Sequence, residues 1–129
     1  MKIAAYAAKA AKAPLELFEY DPGQLGPDEV DVAVTHCGIC HTDVGMVDNE
    51  WGVSTYPCVA GHEAVGTVSA IGNNVNPERL QVGQRVGVGA ISGSCMSCEW
   101  CEGGKQNVCP NRVDTVMRGH RGGSPPMYG

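Results

Sequence analysis

The chain has 129 residues and a formal charge of −5, from nine Lys and Arg against fourteen Asp and Glu. That is room for one compact domain, and it lacks the cluster of cations that a nucleic-acid partner requires. Sixteen Val against four Leu and four Ile, with 18 Gly and 8 Pro, favour strands and turns over long helices. With seven aromatic side chains, the core is left to small aliphatic groups. Seven cysteines is an odd number, so a complete internal disulfide framework is excluded.

At the N-terminus, Lys2 precedes six apolar residues that Lys9 and Lys12 cut short. The run is shorter than a secretory h-region, and no segment approaches the roughly 18 apolar residues of a membrane span. A soluble, cytoplasmic protein with no membrane partner is expected, in which thiols stay reduced and cysteine clusters read as metal or catalytic sites. Residues 4–13 are rich in Ala and Lys and favour helix on propensity alone. Leu15 and Leu17 flank Glu16, and Val30, Val32 and Val34 alternate with Asp31 and Ala33, two strand patterns separated by Asp21-Pro22-Gly23 and Gly26-Pro27. Residues 42–48 predict a short helix capped by Thr42 or Asp43. Residues 64–71 and 82–91 are two further Val-rich runs bounded by Gly. From 92 to 110 the composition turns to Cys, Gly and polar residues, as in an inserted lobe, and residues 118–129 hold four Gly and two Pro without a terminating element.

Within the lobe, Cys95, Cys98 and Cys101 form two overlapping CxxC units, and Cys109 follows after the Gly103-Gly104 pair. Residues three apart in a tight turn lie on one side, so the thiolates aim at one point, and the glycines let the chain reverse to bring in the fourth. Four thiolates with no open position describe a structural zinc site. Neighbours this close cannot all pair as disulfides without strain, and the spacing is not that of a ferredoxin cluster. Zinc there would organise a region with almost no core of its own.

A second constellation joins Cys40-His41-Thr42-Asp43 to Gly61-His62-Glu63. One thiolate and one imidazole are half of a catalytic zinc shell, which keeps three protein ligands and one exchangeable position. The alternative is a small buried Cys40 and a surface His62. Gly38-Ile39-Cys40-His41-Thr42-Asp43, Tyr56-Pro57, Gly61-His62-Glu63, Val82-Gly83-Gln84-Arg85-Val86-Gly87-Val88 and the four-cysteine lobe occur in fixed order. Together they resemble the N-terminal catalytic domain of zinc-dependent medium-chain alcohol dehydrogenases, nearest the cinnamyl alcohol dehydrogenase and aldehyde reductase branch.

The resemblance covers residues 1–129 and implies a mainly β, GroES-like barrel with short helices, the zinc lobe at 92–110, and a first strand at residues 2–10. It implies two zinc ions, with Cys40, His62 and Glu63 at the catalytic one and Cys95, Cys98, Cys101 and Cys109 at the structural one. Asp43 would orient the ligand His through its other ring nitrogen. Thr42 would take the alcohol proton, and His41 would face the pyrophosphate of NAD(P)(H), with NADP(H) favoured by branch. The reaction implied is interconversion of primary alcohols and aldehydes in a homo-oligomeric enzyme, with no nucleic-acid partner.

Two departures stand out. Where much of the family has a proton-relay His five residues after the first ligand Cys, this chain has Gly45. The third catalytic Cys belongs beyond the lobe, in sequence the chain does not contain, and Cys37 and Cys58 read as small buried residues. Residues 87–92 nearly match GxGxxG but precede a zinc lobe rather than a helix, so they are rejected as a dinucleotide fingerprint and the Rossmann domain is absent from this chain. Such a dehydrogenase continues for about two hundred further residues. The chain therefore reads as a fragment with little turnover of its own. Trp51 and Ile91 are open between pocket and core, His36 reads as a hydrogen-bonded barrel residue, and His120 as a solvated loop residue. The alternative functions are a zinc-stabilised binding module without catalysis, or a zinc dehydrogenase acting on a polyol, threonine or formaldehyde.

Overall fold

A computed structural model describes residues 2–116; His120 and the Gly-rich segment 118–129 lie outside them. In chain order the elements are β1 (Ile3–Ala8), β2 (Leu15–Tyr20), β3 (Val30–Cys37), α1 (His41–Asp48), β4 (Ala64–Ile71), β5 (Arg85–Val88), β6 (Ile91–Gly93), α2 (Glu99–Glu102), a 3-10 turn (Gln106–Val108) and β7 (Val113–Asp114). Among the described residues the strands form three antiparallel sheets, β1-β2, β3-β4-β5 and β6-β7.

The Ala/Lys-rich N-terminus is a strand, not the helix its propensity favours. β1 pairs with β2 along its whole length, Ala7 and Ala8 are fully buried, and Ala8 exchanges both amide hydrogen bonds with Cys58 at 2.8 and 2.9 Å. A helix of these alanines would bury no comparable face, so pairing overrides an intrinsic preference of a few tenths of a kcal/mol per residue. The Val-rich run at 82–91 is not one strand: Gly83 turns at φ +89°, β5 pairs with β4, and β6 belongs to the sheet at the base of the lobe.

The β3-β4 pair builds the ground on which the site stands. Its register breaks between Asp31 and Val32 and again between Val34 and His36. At Gly66 an added Cβ would fall 2.3 Å from the Ala33 carbonyl oxygen, so only glycine permits this approach. The ladder runs to Cys37 opposite Ala64 and is prolonged one step by the Gly38 amide donating to Glu63 O at 3.1 Å. Cys40 and His62, 22 residues apart, thus leave adjacent strand ends side by side.

A compact apolar cluster of Met46, Cys58 and Val116, with Tyr56 and Ala60 packed on it, sits beneath α1. Met46 is wholly inaccessible, a burial worth about 1.5–3 kcal/mol. Cys58 is buried, as expected, and burial pushes its thiol pKa up. Cys37 is exposed, contrary to expectation, because the last residue of β3 faces outward. His36 is also exposed, its Nδ1 3.1 Å from Thr35 Oγ1. No helix among the described residues is long and apolar enough to cross a membrane.

Candidate metal centres

The lobe is a loop closed at its base by β6 and β7. Met96 takes a left-handed φ of 57° between Cys95 and Cys98, α2 carries Cys101 inward, and Gly104 at φ 72° turns the chain back toward Cys109. The four sulfurs lie within 4.8 Å of one another. Cys95 and Cys101 are 3.9 Å apart, Cys98 and Cys109 3.8 Å, and Cys109 and Cys95 3.5 Å. A tetrahedron with zinc–sulfur bonds of about 2.3 Å has edges of about 3.8 Å, so the donor set fits a closed zinc site. The Ser97 amide, followed by the Cys109 and Cys98 thiols, lowers the Cys95 pKa to about 6. Cys98 is pushed up to about 11: the Cys101 amide favours its thiolate, but burial and the three neighbouring sulfurs outweigh it. Without a cation the cluster cannot hold four thiolates, and a divalent ion removes that repulsion.

The second centre is assembled from two strand ends and a helix start. Cys40 caps α1, its Sγ accepting from the Thr42 amide at 3.3 Å. The expected caps, Thr42 and Asp43, therefore lie two and three residues too far along. Asp43 completes a reciprocal box instead, its Oδ2 accepting from the Cys40 amide at 2.9 Å. The other oxygen of that carboxylate lies 3.0 Å from His62 Nδ1. Both side chains are buried, so one carboxylate fixes the backbone of Cys40 and the ring of His62 together. The family resemblance implies the pairing of Asp43 with the histidine; its grip on Cys40 is a separate contact, signalled by the Cys-x-x-Asp spacing of a capping box.

His62 Nε2 then points at Cys40 Sγ, 3.2 Å away, slightly inside the edge of about 3.6 Å that a tetrahedral zinc gives this pair. The Glu63 carboxylate joins them, all three donor atoms lying within 4.8 Å. Glycine at 38 makes that possible, since a Cβ there would meet Glu63 Oε2 at 2.3 Å. Cys37 and Cys58 are not part of this group. An open cleft of about 480 Å³, lined by residues 62–65 and 87–90, runs from His62 and Glu63 along β4 and β5. Cys40, His62 and Glu63 are three donors, one fewer than the four that close the lobe's site.

Around it, Thr42 is half-buried in the first turn of α1, and His41 is exposed with Nε2 3.6 Å from Glu50 Oε2. Trp51 and Ile91 do not line the cleft, and neither is buried. Trp51 lies against Gly45 instead: an added Cβ at 45 would sit 2.5 Å from its Cη2 and 2.8 Å from its Cζ3. Position 45 is therefore closed to a side chain while the indole stays where it is. Residues 87–92 pass from β5 into β6 with no helix directly after them, as expected of a segment that is no dinucleotide fingerprint.

Comparison with known proteins agrees with this architecture. The family model of the alcohol dehydrogenase GroES-like domain matches residues 26–127. An aldehyde reductase of Synechocystis sp. is 51% identical over 121 residues, 94% of this chain and 35% of the relative. A cinnamyl alcohol dehydrogenase structure from Sorghum bicolor superposes with a TM-score of 0.89 at 36% identity, over all of this chain and 36% of that one. The cinnamyl alcohol dehydrogenase of Helicobacter pylori, solved with NADP(H), gives 0.88 at 26% identity, over 100% of this chain and 38% of that one. The chain thus spans about 35% of the length of the curated relatives it matches. With its strands, its lobe and its paired Cys and His in the family's order, the chain belongs to the alcohol dehydrogenase GroES-like domain family.

Proposed function

We propose that this chain is the catalytic half of a zinc-dependent oxidoreductase that interconverts primary alcohols and aldehydes with NAD(P)(H). The observation that carries the reading is the convergence of Cys40, His62 and Glu63 within 4.8 Å, with the His62 ring already held by a buried Asp43. Zinc supplies Lewis acidity at these donors, and the nicotinamide supplies the hydride chemistry. Asp43 fixes which His62 nitrogen faces the metal, since its carboxylate takes the proton-bearing Nδ1 and leaves Nε2 free. Thr42 relays the proton: its Oγ1 accepts that of an alcohol hydroxyl while passing its own on toward solvent, and the reverse relay returns a proton to an aldehyde oxygen. The exposed His41, at the head of α1, would face a cofactor phosphate, as the family resemblance implies. Cys95, Cys98, Cys101 and Cys109 hold a second zinc whose work is structural.

The NADP(H) seen with the Helicobacter relative supports NADP(H) as the nicotinamide. A cytoplasmic homo-oligomer is the form in which the intact enzyme would work. Exposed Met96, Trp100 and Val108 on the lobe favour one other reading, a zinc-stabilised docking module without catalysis.

Metal counting separates the two. Mass spectrometry under native conditions is expected to find two zinc ions per chain, and one after Cys40→Ala. A single zinc in the full-length protein supports the docking module instead. When the chain is joined to a nicotinamide-binding domain, NADPH oxidation by cinnamaldehyde is expected, and Thr42→Val should lower kcat by about 10²–10⁴ as a lost proton-transfer group does.

A further inference from the structure

Asp43 joins Cys40 to His62, so whatever sets the axis of α1 sets the second centre. The helix has eight residues, too few to hold its shape alone in water. Its first turn is closed by the box between Cys40 and Asp43. Its last carbonyls are closed from outside the helix. The Glu50 amide donates to Gly45 O at 2.9 Å, and the Ser54 hydroxyl donates to Met46 O at 2.6 Å. The Tyr56 hydroxyl donates to Val47 O at 2.8 Å, joined there by the Lys12 amide at 3.3 Å.

Six residues beyond Tyr56 the same segment reaches His62, which meets α1 again at Asp43. Between the two contacts Cys58 is fully buried and doubly hydrogen-bonded to Ala8 of β1. The segment 56–62 therefore grips α1 near both ends and is itself fixed to a sheet in the middle. A displacement of Val47 carries Asp43 with it, because the helix between them is one rigid turn.

We infer that Tyr56 is a positioning residue for the second metal centre: its hydroxyl, bound to Val47 O, holds α1 where the Asp43 carboxylate meets the His62 ring. The inference rests on the reading of Cys40, His62 and Glu63 as a metal centre. Tyr56→Phe keeps the ring that packs on Met46 and Cys58 and removes only the hydrogen bond.

The test is a Co²⁺ titration of the full 129-residue chain followed by visible absorption. Four-thiolate and one-thiolate sites absorb differently, so the lobe is an internal control in the same sample. The unaltered chain is expected to take two Co²⁺. Tyr56→Phe should weaken the second about three- to tenfold, the range of one hydrogen bond, and shift its bands while the lobe stays constant. Ser54→Ala, which leaves Met46 O only the Asn49 amide at 3.3 Å, should move the same bands in the same direction. Unchanged affinity and bands in both variants overturn the inference, as does equal weakening of both sites, which is what general loosening gives. If the unaltered chain takes one Co²⁺, Cys40, His62 and Glu63 do not by themselves make a metal centre, and the inference, which rests on that reading, goes with it.

Discussion

The two cysteine-bearing centres of this chain are built on opposite plans. The lobe draws four sulfurs from residues 95–109, brings them together with turns, and presents a closed donor set. The second centre draws two donors from positions 22 apart and needs a strand pair, a helix cap and a buried carboxylate to join them. The lobe has sulfurs in place of an apolar interior, and its Trp100 and Met96 are exposed. The second centre leans on Met46, Cys58 and Val116, a core that exists without any ion. A metal should thus be a folding element in the first and a guest in the second.

Removing the metal tests that contrast most strongly. Chelation, or Cys98→Ser, should abolish a stabilisation on the order of 10 kcal/mol and melt the lobe. Amide exchange across residues 95–109 should rise to coil rates while β3 and β4 stay protected. A lobe that kept its protection without metal would have a core of its own, and the contrast would collapse. At the second centre the effect is on binding rather than folding: Asp43→Asn should weaken zinc there about 10–100-fold, read by competition with a chromogenic chelator, and leave the lobe's zinc in place.

Smaller in scale is the packing over α1. Gly45→Ala drives a methyl into the Trp51 ring and should cost about 1–3 kcal/mol in urea unfolding. In a double-mutant cycle Trp51→Ala should recover much of that, and strict additivity would show that the indole moves aside freely. The smallest effect is a proton count. Near pH 7.5 Cys95, lowered to about 6, has already lost its proton, whereas Cys98, raised to about 11, has kept its own. Zinc entering the lobe should therefore release fewer than four protons, and the number should rise as pH falls below 6. Calorimetry in buffers of different ionisation enthalpy measures it.

The lobe was legible because its information is local: Cys95, Cys98 and Cys101 are spaced for one turn, and Gly103-Gly104 announces the reversal. The second centre was only half legible. Composition and spacing do not say that Cys37 pairs with Ala64, and it is this register that lays Cys40 beside His62. The family's motif order supplied what the residues alone did not. β1 misled propensity for the same reason, since alanine's preference for helix is small beside a partner strand and two buried methyls. The Val-rich run at 82–91 looked continuous because periodicity does not mark where one sheet ends. Ser54 left no signal, and Tyr56 only its place in the family's motif order, because helix carbonyls closed from a following loop carry no sequence pattern of their own.

The divided carboxylate of Asp43 has a consequence for which ions the second centre accepts. Because it holds the Cys40 amide and the His62 ring at once, it sets the sulfur-to-nitrogen span at 3.2 Å. A cation making bonds of about 2.0–2.3 Å to soft donors closes on that span with little rearrangement. Calcium, seeking six to eight oxygens at about 2.3–2.6 Å, and magnesium, seeking an octahedron of them, find one carboxylate and two donors of the wrong kind. Discrimination against the abundant alkaline-earth ions thus lies in a sulfur and a nitrogen donor that a hydrogen-bonded aspartate holds together without needing to touch the metal.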